Sequence, residues 1–371
     1  MRIAIIGLGM VALADALVLA RRHKVVMTGP APDRVDAVNA GAYPLNDPKL
    51  QSYRAAHKLD LRATPDTGAA LERAQMVLVS MPLPFDPARG GCDTTELETR
   101  IALAQRICPA APIVIRSAVP IGFTEKMRRA LCSDAILPVP EFLREGVALA
   151  DALAPRFLIV GERGPLGTMV GALFQQVTDT PDLPLRQTGP SEAEAVKHFA
   201  QTWLAARVAC FNELDGYALA HGLNARQVID GVCLDPRIGT YASNPCLGHG
   251  GNRVPRSTAH LCEVFGTVPA QAVSNLPTAG GARIALLASE VVERGARRIG
   301  LYLPEGAATG LNPLAALRDR LTQAGAQTLT FANASATVTR DIRDRTVAPR
   351  MSSTLRGDRD LRFSRDRHTV H

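Results

Sequence analysis

The amino-terminal half of the chain alternates short apolar runs with longer stretches in which apolar residues have a helical spacing. Residues 2–6 are mostly apolar and are followed by Gly7, residues 11–22 fit a helix, and residues 24–28 have an apolar centre again. This order predicts a strand, a helix and a strand, which form a βαβ unit. Further strands are predicted at residues 76–80, 113–115, 135–137 and 157–160, with a helix at residues 94–107. Alternating strands and helices predict a parallel, doubly wound sheet.

The pattern changes after residue 190, where one long helical run replaces the short elements. This run extends from Ser191 to about His221. The later elements are a helix at residues 224–232, a strand at 299–303, a helix at 313–324 and a strand at 328–331. We therefore predict an α/β fold with two Rossmann-like, doubly wound domains joined by a long central helix. The predicted domains are residues 1–190, 191–281 and 282–371.

Composition places the chain among globular proteins with room for more than one domain. It has 371 residues, of which 46% are hydrophobic and 21% charged. No apolar run approaches the 18 residues of a membrane-spanning helix. The first seven residues combine an early Arg with an apolar run, but Gly7 and Gly9 follow at the spacing of a strand and its turn. We expect a cytoplasmic protein with no signal peptide and no membrane partner.

Charge and cysteine usage narrow the class of partner. The net charge is +7, and the Arg-rich segment at residues 340–367 is interleaved with Asp residues. Mixed signs favour a solvated surface, so we expect no nucleic-acid partner. The seven cysteines form no Cys-x-x-Cys pair and no cluster with histidine at metal-ligand spacing. We expect reduced thiols and no metal site.

A glycine-rich turn follows the first predicted strand. Gly7, Gly9 and Ala12 give the pattern G-x-G-x-x-A between a strand and a helix. The first glycine permits a tight turn, and the second lets a pyrophosphate approach N–H groups at the start of the helix. The candidate cofactor-binding residues are Gly7, Gly9, Met10, Val11, Ala12, Arg34 and Pro82. The predicted cofactor is NAD.

The second predicted strand ends without the carboxylate that usually binds the adenosine ribose. The expected position falls near Thr28 or Gly29, and the first acidic residue after it is Asp33. One interpretation is that NAD binding is weakened or lost. The other is that the cofactor is NADP, whose 2′-phosphate would need a nearby Arg, for which Arg34 is the candidate. We favour the first.

Several longer strings carry a resemblance to a known family. They are SAVPIGFT at 117–124, PEFLREG at 140–146, EAEAVK at 192–197, FNELD at 211–215, GVCLDPRIG at 231–239 and GHGGNRVPRST at 248–258. In order and spacing they resemble the UDP-glucose/GDP-mannose dehydrogenase family. The resemblance extends from Met1 to about Leu303. It implies an NAD-binding domain, a long helix that forms a homodimer, and a shortened C-terminal UDP-binding domain.

The resemblance also implies a reaction. Family members oxidise the C6 alcohol of UDP-glucose to a carboxylate in two NAD-dependent steps, with a Cys thiolate as the nucleophile that carries the second step. By position, Glu141 would be a base for the hydrolytic water, Glu145 a second acidic residue of the site, and Lys197 the group that stabilises oxyanion charge. The residues expected to contact the UDP-sugar are Phe142, Leu143, Lys197, Arg237, Gly250 and Gly251.

This chain departs from the family at positions that perform the chemistry. Arg253 stands at the Cys, Ser257 at an Asp, Gln201 at an Asn and Ala118 at a Thr. A guanidinium stays protonated and cannot attack an aldehyde. Arg253 either binds an anionic group in the vacated space or faces solvent, and the sequence leaves these alternatives open.

Three hypotheses follow from these departures. The first is a catalytically impaired homologue that folds as a dimer and binds a UDP-glucose-like sugar. The second is an active dehydrogenase with an altered substrate or a single oxidation step. The third is an inactive subunit that associates with an active homologue through the long helix. The first is preferred because the departures affect both the cofactor side and the chemical side.

Overall fold

The computed structural model describes residues 1–86, 91–247, 253–266, 268–302, 313–331 and 361–363. The chain divides into two compact units, Met1–His198 and Phe199–His371. The predicted domain limits at residues 190 and 281 stay predictions.

The first unit contains ten strands and the start of a long helix among its described residues. The strands are β1 (Arg2–Ile6), β2 (Lys24–Thr28), β3 (Leu61–Thr64), β4 (Met76–Val79), β5 (Phe85–Asp86), β6 (Gly91–Cys92), β7 (Ile113–Ile115), β8 (Ile136–Pro138), β9 (Leu158–Val160) and β10 (Leu185–Gln187). The helices are α1 (Met10–Leu19), α2 (Pro32–Asn39), α3 (Leu50–Ala56), α4 (Thr67–Leu71), α5 (Thr95–Ile107), α6 (Phe123–Leu131), α7 (Ala148–Leu153) and α8 (Pro165–Val177). The helix α9 (Pro190–Ala220) begins in this unit.

Six of these strands form one parallel sheet in the order β3-β2-β1-β4-β7-β8. Counted within the sheet, this is the order 3-2-1-4-5-6 of dinucleotide-binding folds. The order in which the chain adds strands to the sheet reverses between β1 and β4, because β2 and β3 lie on one side of β1 and β4, β7 and β8 on the other. In open sheets of this kind, ligands bind outside the carboxyl ends of the strands at such a point. The predicted α/β class and parallel sheet are confirmed.

The centre of the sheet is apolar because helices cover both of its faces. All four residues of β4 are buried, and so are four of the five in β1. Continuous apolar strands of this kind are typical of parallel sheets, since neither face meets water. Two clusters of buried side chains lie on opposite sides of the sheet, one with Ile3 and Ile5, the other with Ala4 and Ile6.

Helix α1 ends earlier than its sequence pattern predicts. The helical spacing continues to Arg22, but α1 stops at Leu19, and the N–H groups of Arg22 and His23 both bond to the carbonyl of Leu19. The chain must reverse within four residues because Lys24 already pairs with Arg2 in the sheet. Tertiary pairing of β2 therefore overrides the helical pattern at residues 20–22.

Helix α9 has 31 residues and agrees with the predicted long helix to within one residue at each end. It ends where Gly222 adopts φ +67 and the N–H of Leu223 bonds to the carbonyl of Ala218. A glycine in this left-handed conformation satisfies the last carbonyls of a helix at little steric cost.

The second unit adds helices and a small sheet. Its helices are α10 (Ala225–Val232), α11 (Arg253–Phe265), α12 (Gln271–Ser274), α13 (Leu276–Glu293) and α14 (Pro313–Gln323), and its strands are β11 (Arg298–Tyr302), β12 (Gln327–Phe331) and β13 (Leu361–Phe363). Strands β11 and β12 are parallel, and β13 is antiparallel to β11. A cluster including Leu287, Ile299 and Leu317 forms its core.

Two negative findings hold for the described part of the chain. None of its helices is both long and apolar enough to cross a bilayer. Among the same residues, no group of three or more His, Cys, Asp or Glu side chains is arranged to hold a metal ion.

Candidate functional site

The turn between β1 and α1 can be formed only with glycine at position 7. Gly7 has φ +132, and a Cβ atom there would overlap the carbonyl oxygen of Ser80 and lie 3.5 Å from the Cβ of Ala12. Ser80 follows β4, and its N–H bonds to the carbonyl of Ile6. Gly7 therefore lets the turn lie against the end of the neighbouring strand, at the point where the strand order reverses.

The N-terminus of α1 is suited to an anion. Gly9 is its N-cap, no side chain caps it, and no acidic residue lies in its first turn. A Cβ atom at Gly9 would meet nothing within 4 Å, so its backbone is open to a ligand. Met10 and Val11 are half-buried, and Ala12 is fully buried. The free N–H groups and the helix dipole fit the pyrophosphate of a dinucleotide.

The end of β2 has no acceptor for a ribose hydroxyl at position 29. A Cβ atom at Gly29 would lie 2.9 Å from both Cγ and Cδ1 of Leu8, whose side chain is buried. Arg34 reaches back to this turn, where its Nη1 donates to the carbonyl of Leu8 at 2.7 Å. Leu8 thus occupies the space in which a side chain at position 29 would start, and Arg34 places a cation beside it.

A second turn lies at the end of β4, next to residues 116–118. The Ser117 hydroxyl accepts a hydrogen bond from the N–H of Met81 at 2.8 Å and donates to the carbonyl of Met81 at 2.9 Å. These two bonds fix the backbone before Pro82, which is exposed. Ala118, which is half-buried, adds no polar group to this turn. The turn is shaped by Ser117, a role that the sequence analysis did not assign.

A buried ion pair joins Lys197 to Glu141. Lys197 Nζ lies 3.0 Å from Glu141 Oε1 and donates to the Glu141 carbonyl at 2.5 Å. The other carboxylate oxygen accepts from the N–H of Leu143 at 2.8 Å. Both side chains are nearly inaccessible to solvent. The structure thus brings together the predicted base and the predicted oxyanion-stabilising cation. Both carboxylate oxygens of Glu141 accept hydrogen bonds, one from Lys197 and the other from the N–H of Leu143.

Aromatic side chains border this pair. Lys197 Nζ lies 5.2 Å from the centroid of the Phe142 ring, and that ring packs against Phe157 with centroids 4.8 Å apart. A cation over an aromatic face is stabilised by the ring's quadrupole. Phe142 and Leu143 are half-buried, whereas Glu145 is exposed.

Glu194 anchors the start of α9, one turn before Lys197. Its carboxylate accepts from the N–H of Gly122 at 2.6 Å and from the N–H and hydroxyl of Thr124 at 2.9 and 2.6 Å. Burial raises the pKa of Glu194, and the hydrogen bonds from Thr124 partly oppose this shift. The carboxylate also caps α6, so Lys197 is held by a helix tied to the sheet.

The remaining predicted residues lie in the second unit. Gln201 is half-buried on α9, and Ser257 is buried on α11. Arg253 is the first residue of α11. Gly250 and Gly251 fall outside the described residues.

Arg237 lies at the protein surface, 87% exposed, and pairs with its neighbour Asp235 at 2.6 Å. This pairing lowers the pKa of Asp235. The backbone just after it is fixed by Arg207 of α9, which donates to the carbonyls of Ile238, Gly239 and Tyr241. Arg207 was not predicted from sequence, since nothing local marks its partners 31 to 34 residues away.

Two buried charges near the site also escaped the sequence analysis. Asp15 of α1 and Arg116 after β7 form an ion pair with Arg116 Nε 2.7 Å from Asp15 Oδ2. A sequence signal was present for each. Asp15 is the single charged residue in the otherwise apolar α1, and Arg116 directly follows the apolar β7. Charges in such positions need a partner.

Comparisons with known proteins bear on the same elements. Residues 1–178 match the NAD binding domain of the UDP-glucose/GDP-mannose dehydrogenase family, and residues 191–275 match its central domain. A UDP-glucose 6-dehydrogenase of Campylobacter jejuni is 31% identical over 304 residues, which cover 81% of this chain and 77% of that protein. One of Streptococcus pneumoniae is 32% identical over 308 residues, covering 81% and 78%.

Solved structures show the same fold. A UDP-glucose dehydrogenase from Pyrobaculum islandicum superposes with a TM-score of 0.77 at 23% identity, over 89% of this chain and 81% of that one. A UDP-D-ManNAc dehydrogenase from Pyrococcus horikoshii gives 0.76 at 20% identity, over 90% and 83%. The family models cover most of the chain, and both bacterial relatives match it over 81% of its length. The chain therefore belongs to the UDP-glucose/GDP-mannose dehydrogenase family.

Proposed function

We propose that this protein binds a dinucleotide and a UDP-glucose-like sugar but does not complete the two-step oxidation of that sugar to the acid. The observation that carries the proposal is the buried Lys197–Glu141 pair, which is assembled although Arg253 stands where the family has its nucleophile. The pair supplies a fixed cation and a carboxylate for binding and for stabilising charge on a sugar oxygen. The second step lacks its nucleophile.

The missing step follows from the chemistry of the side chains. In the family, a thiolate adds to the aldehyde carbon and later leaves as the thioester is hydrolysed. A guanidinium carries no accessible lone pair because it stays protonated in proteins. By the family resemblance, Ser257 lacks the carboxylate that would support the nucleophile, and Ala118 lacks the hydroxyl that would position its water. Removal of the nucleophile alone therefore stops the thioester route.

A single-turnover assay tests the proposal. Enzyme in excess over UDP-glucose is mixed with NAD, and in parallel with NADP, and the absorbance of the reduced cofactor is followed. We expect fewer than two reduced cofactors per sugar, together with a thermal shift of the protein by UDP-glucose. Two per sugar at an ordinary rate of about 1 per second would refute the impairment.

A single oxidation step is the second candidate function. NAD, when bound, supplies the hydride acceptor, and the alcohol oxygen must lose its proton to solvent water as its carbon loses hydride. The observation that favours this function is the position of Lys197 Nζ, held by Glu141 as a donor to a developing oxyanion. One reduced cofactor per sugar in the same assay would support it. If no cofactor is reduced, the protein binds the sugar without oxidising it, and the single-step function is refuted.

We further propose that NAD binds weakly because β2 ends in Gly29. Gly29→Asp is expected to strengthen NADH binding by about 1 kcal/mol, roughly fivefold, because the carboxylate adds an acceptor for the ribose hydroxyls. Leu8 must move to admit the new side chain, so Gly29→Asp with Leu8→Ala is the more sensitive variant. Fluorescence titration measures the affinity of each variant and of the wild type for NADH and for NADPH. Tighter NADPH than NADH binding by the wild type, lost in Arg34→Ala, would instead support the NADP alternative.

We also propose that α9 forms a homodimer interface. Phe199, Trp203, Cys210 and Tyr217 are all exposed on this helix, at spacings of four, seven and seven residues. These spacings place them on one face, and Trp203 is 69% exposed. Sedimentation is expected to give a dimer for the wild type and a monomer for Trp203→Glu. A mixed dimer on co-expression with an active homologue would support the partner-subunit hypothesis.

A further inference from the structure

Asp15 and Arg116 form a bidentate ion pair inside the first unit. Arg116 Nε and Nη2 donate to the two carboxylate oxygens of Asp15 at 2.7 and 2.9 Å. Asp15 is 4% exposed and Arg116 6%. The two residues are 101 positions apart, so the pair connects α1 to the end of β7. Neither residue has a role in the reaction that the family resemblance implies.

The rest of the Arg116 guanidinium is directed at the segment before Glu141. Arg116 Nη1 donates to the carbonyl of Val139 at 2.8 Å and to that of Pro140 at 3.4 Å. Its guanidinium carbon lies 5.2 Å from the centroid of the Phe174 ring. A planar guanidinium presents its donors in a rigid fork, whereas the three donors of an ammonium rotate, so Arg116 fixes these groups in one geometry more firmly than a lysine would.

The contacts then continue to the ion pair of the site. Glu141 follows Pro140 directly, and its carbonyl and carboxylate both accept from Lys197. Burial raises the pKa of Asp15, Arg116 opposes this shift, and the nearby Glu141 carboxylate raises the pKa further. A continuous path of bonded groups thus runs from α1 to Lys197.

We propose that Asp15 and Arg116 are positioning residues that fix the Glu141–Lys197 pair relative to the phosphate-binding helix α1. Occupation of the turn at Gly7 and Gly9 then favours the sugar-binding geometry of Glu141, and the reverse holds equally. The coupling between dinucleotide binding and sugar binding rests on the proposed function, whereas the positioning of residues 139–141 does not.

Stability alone does not account for a buried pair at this place. Removing two charges from water costs several kcal/mol per ion, and apolar residues of similar volume often serve a core equally well or better. The neighbours of Asp15 on α1 are apolar and buried, so a leucine there would pack with them. The Asp15–Arg116 pair therefore serves to position residues 139–141. Mutation can separate its effect on the free energy of unfolding from its effect on that segment.

The test uses the double variant Asp15→Leu/Arg116→Met. Hydrogen exchange is followed in the peptide covering residues 139–147 of the free protein. UDP-glucose affinity is measured with and without saturating NADH. We expect exchange in this peptide to accelerate at least about tenfold while the β1 and β4 amides stay protected. In the wild type, saturating NADH should raise the affinity for UDP-glucose at least about fivefold. In the variant, NADH should leave this affinity unchanged.

Two further variants keep the test decisive. Arg116→Lys retains a cation for Asp15 but loses the forked donors to Val139 and Pro140, so it should accelerate exchange in residues 139–147 even if the double variant does not fold. A control is Arg21→Met/Asp179→Leu, which removes a more exposed ion pair beside the end of α1, with Arg21 Nη1 2.9 Å from Asp179 Oδ1. This control should leave exchange in residues 139–147 unchanged.

Each outcome has a separate meaning. Unchanged exchange in residues 139–147 of both Asp15→Leu/Arg116→Met and Arg116→Lys would overturn the positioning role. Faster exchange spread evenly over the sheet would also overturn it, since that pattern indicates general destabilisation. A wild type that binds neither UDP-glucose nor NADH would refute the proposed function and the coupling, while the exchange data would still decide the positioning.

Discussion

Gly7→Ala is expected to lower the free energy of unfolding by more than about 4 kcal/mol and to abolish NADH binding. The new Cβ atom would overlap the carbonyl oxygen of Ser80, which belongs to the backbone and cannot rotate away. Gly7 also has φ +132, a conformation that residues with a side chain rarely adopt. The turn would have to separate from the end of β4, and the phosphate site would be lost with it.

Gly9→Ala is the matched control. A Cβ atom at Gly9 meets nothing within 4 Å, and the residue has φ −79 and ψ 179, which alanine adopts readily. We expect it to change stability by less than about 1 kcal/mol while weakening NADH binding, because its backbone is where a pyrophosphate approaches. Urea unfolding and NADH fluorescence measure both quantities. Equal stability of the two variants would contradict the account of the turn.

Lys197→Met is expected to lower the free energy of unfolding by about 3–5 kcal/mol. The substitution removes the cation from a carboxylate that is 6% exposed, and Glu141 is left buried with the N–H of Leu143 as a remaining donor. Methionine preserves most of the side-chain volume, so the loss reflects the uncompensated charge rather than a cavity. UDP-glucose binding should weaken at the same time.

The control for this variant is Lys197→Met/Glu141→Gln. Neutralising the second partner removes the buried charge, so the double variant should recover most of the lost stability but not the binding of UDP-glucose. Urea denaturation of the wild type, Lys197→Met, Glu141→Gln and the double variant gives a double-mutant cycle for the pair. If Lys197→Met unfolds with the wild-type midpoint, the pair is not buried in solution as described.

Much of the site could be located from sequence, because its residues lie in short segments that have a recognisable residue pattern of their own. The glycine turn was predicted from Gly7 and Gly9, and the structure places it at the reversal point of the sheet. Glu141 and Lys197 were predicted through the family resemblance, and they meet. The edge strand β3 was not predicted, since Leu61–Thr64 has no continuous apolar run and owes its conformation to pairing with β2.

The sequence by itself determined the α/β class and the ends of the long helix to within one residue, and its resemblance to the family predicts Arg253 at the position of the nucleophile. These depend on hydrophobic periodicity, on glycine conformations and on residue identity, all of which are local. Only the tertiary structure decided that Leu8 occupies the space beside Gly29, and that Asp15 meets Arg116. Such contacts join residues far apart in the chain, and they form because the sheet places the end of β2 beside that of β1 and the fold packs α1 against the residue that follows β7.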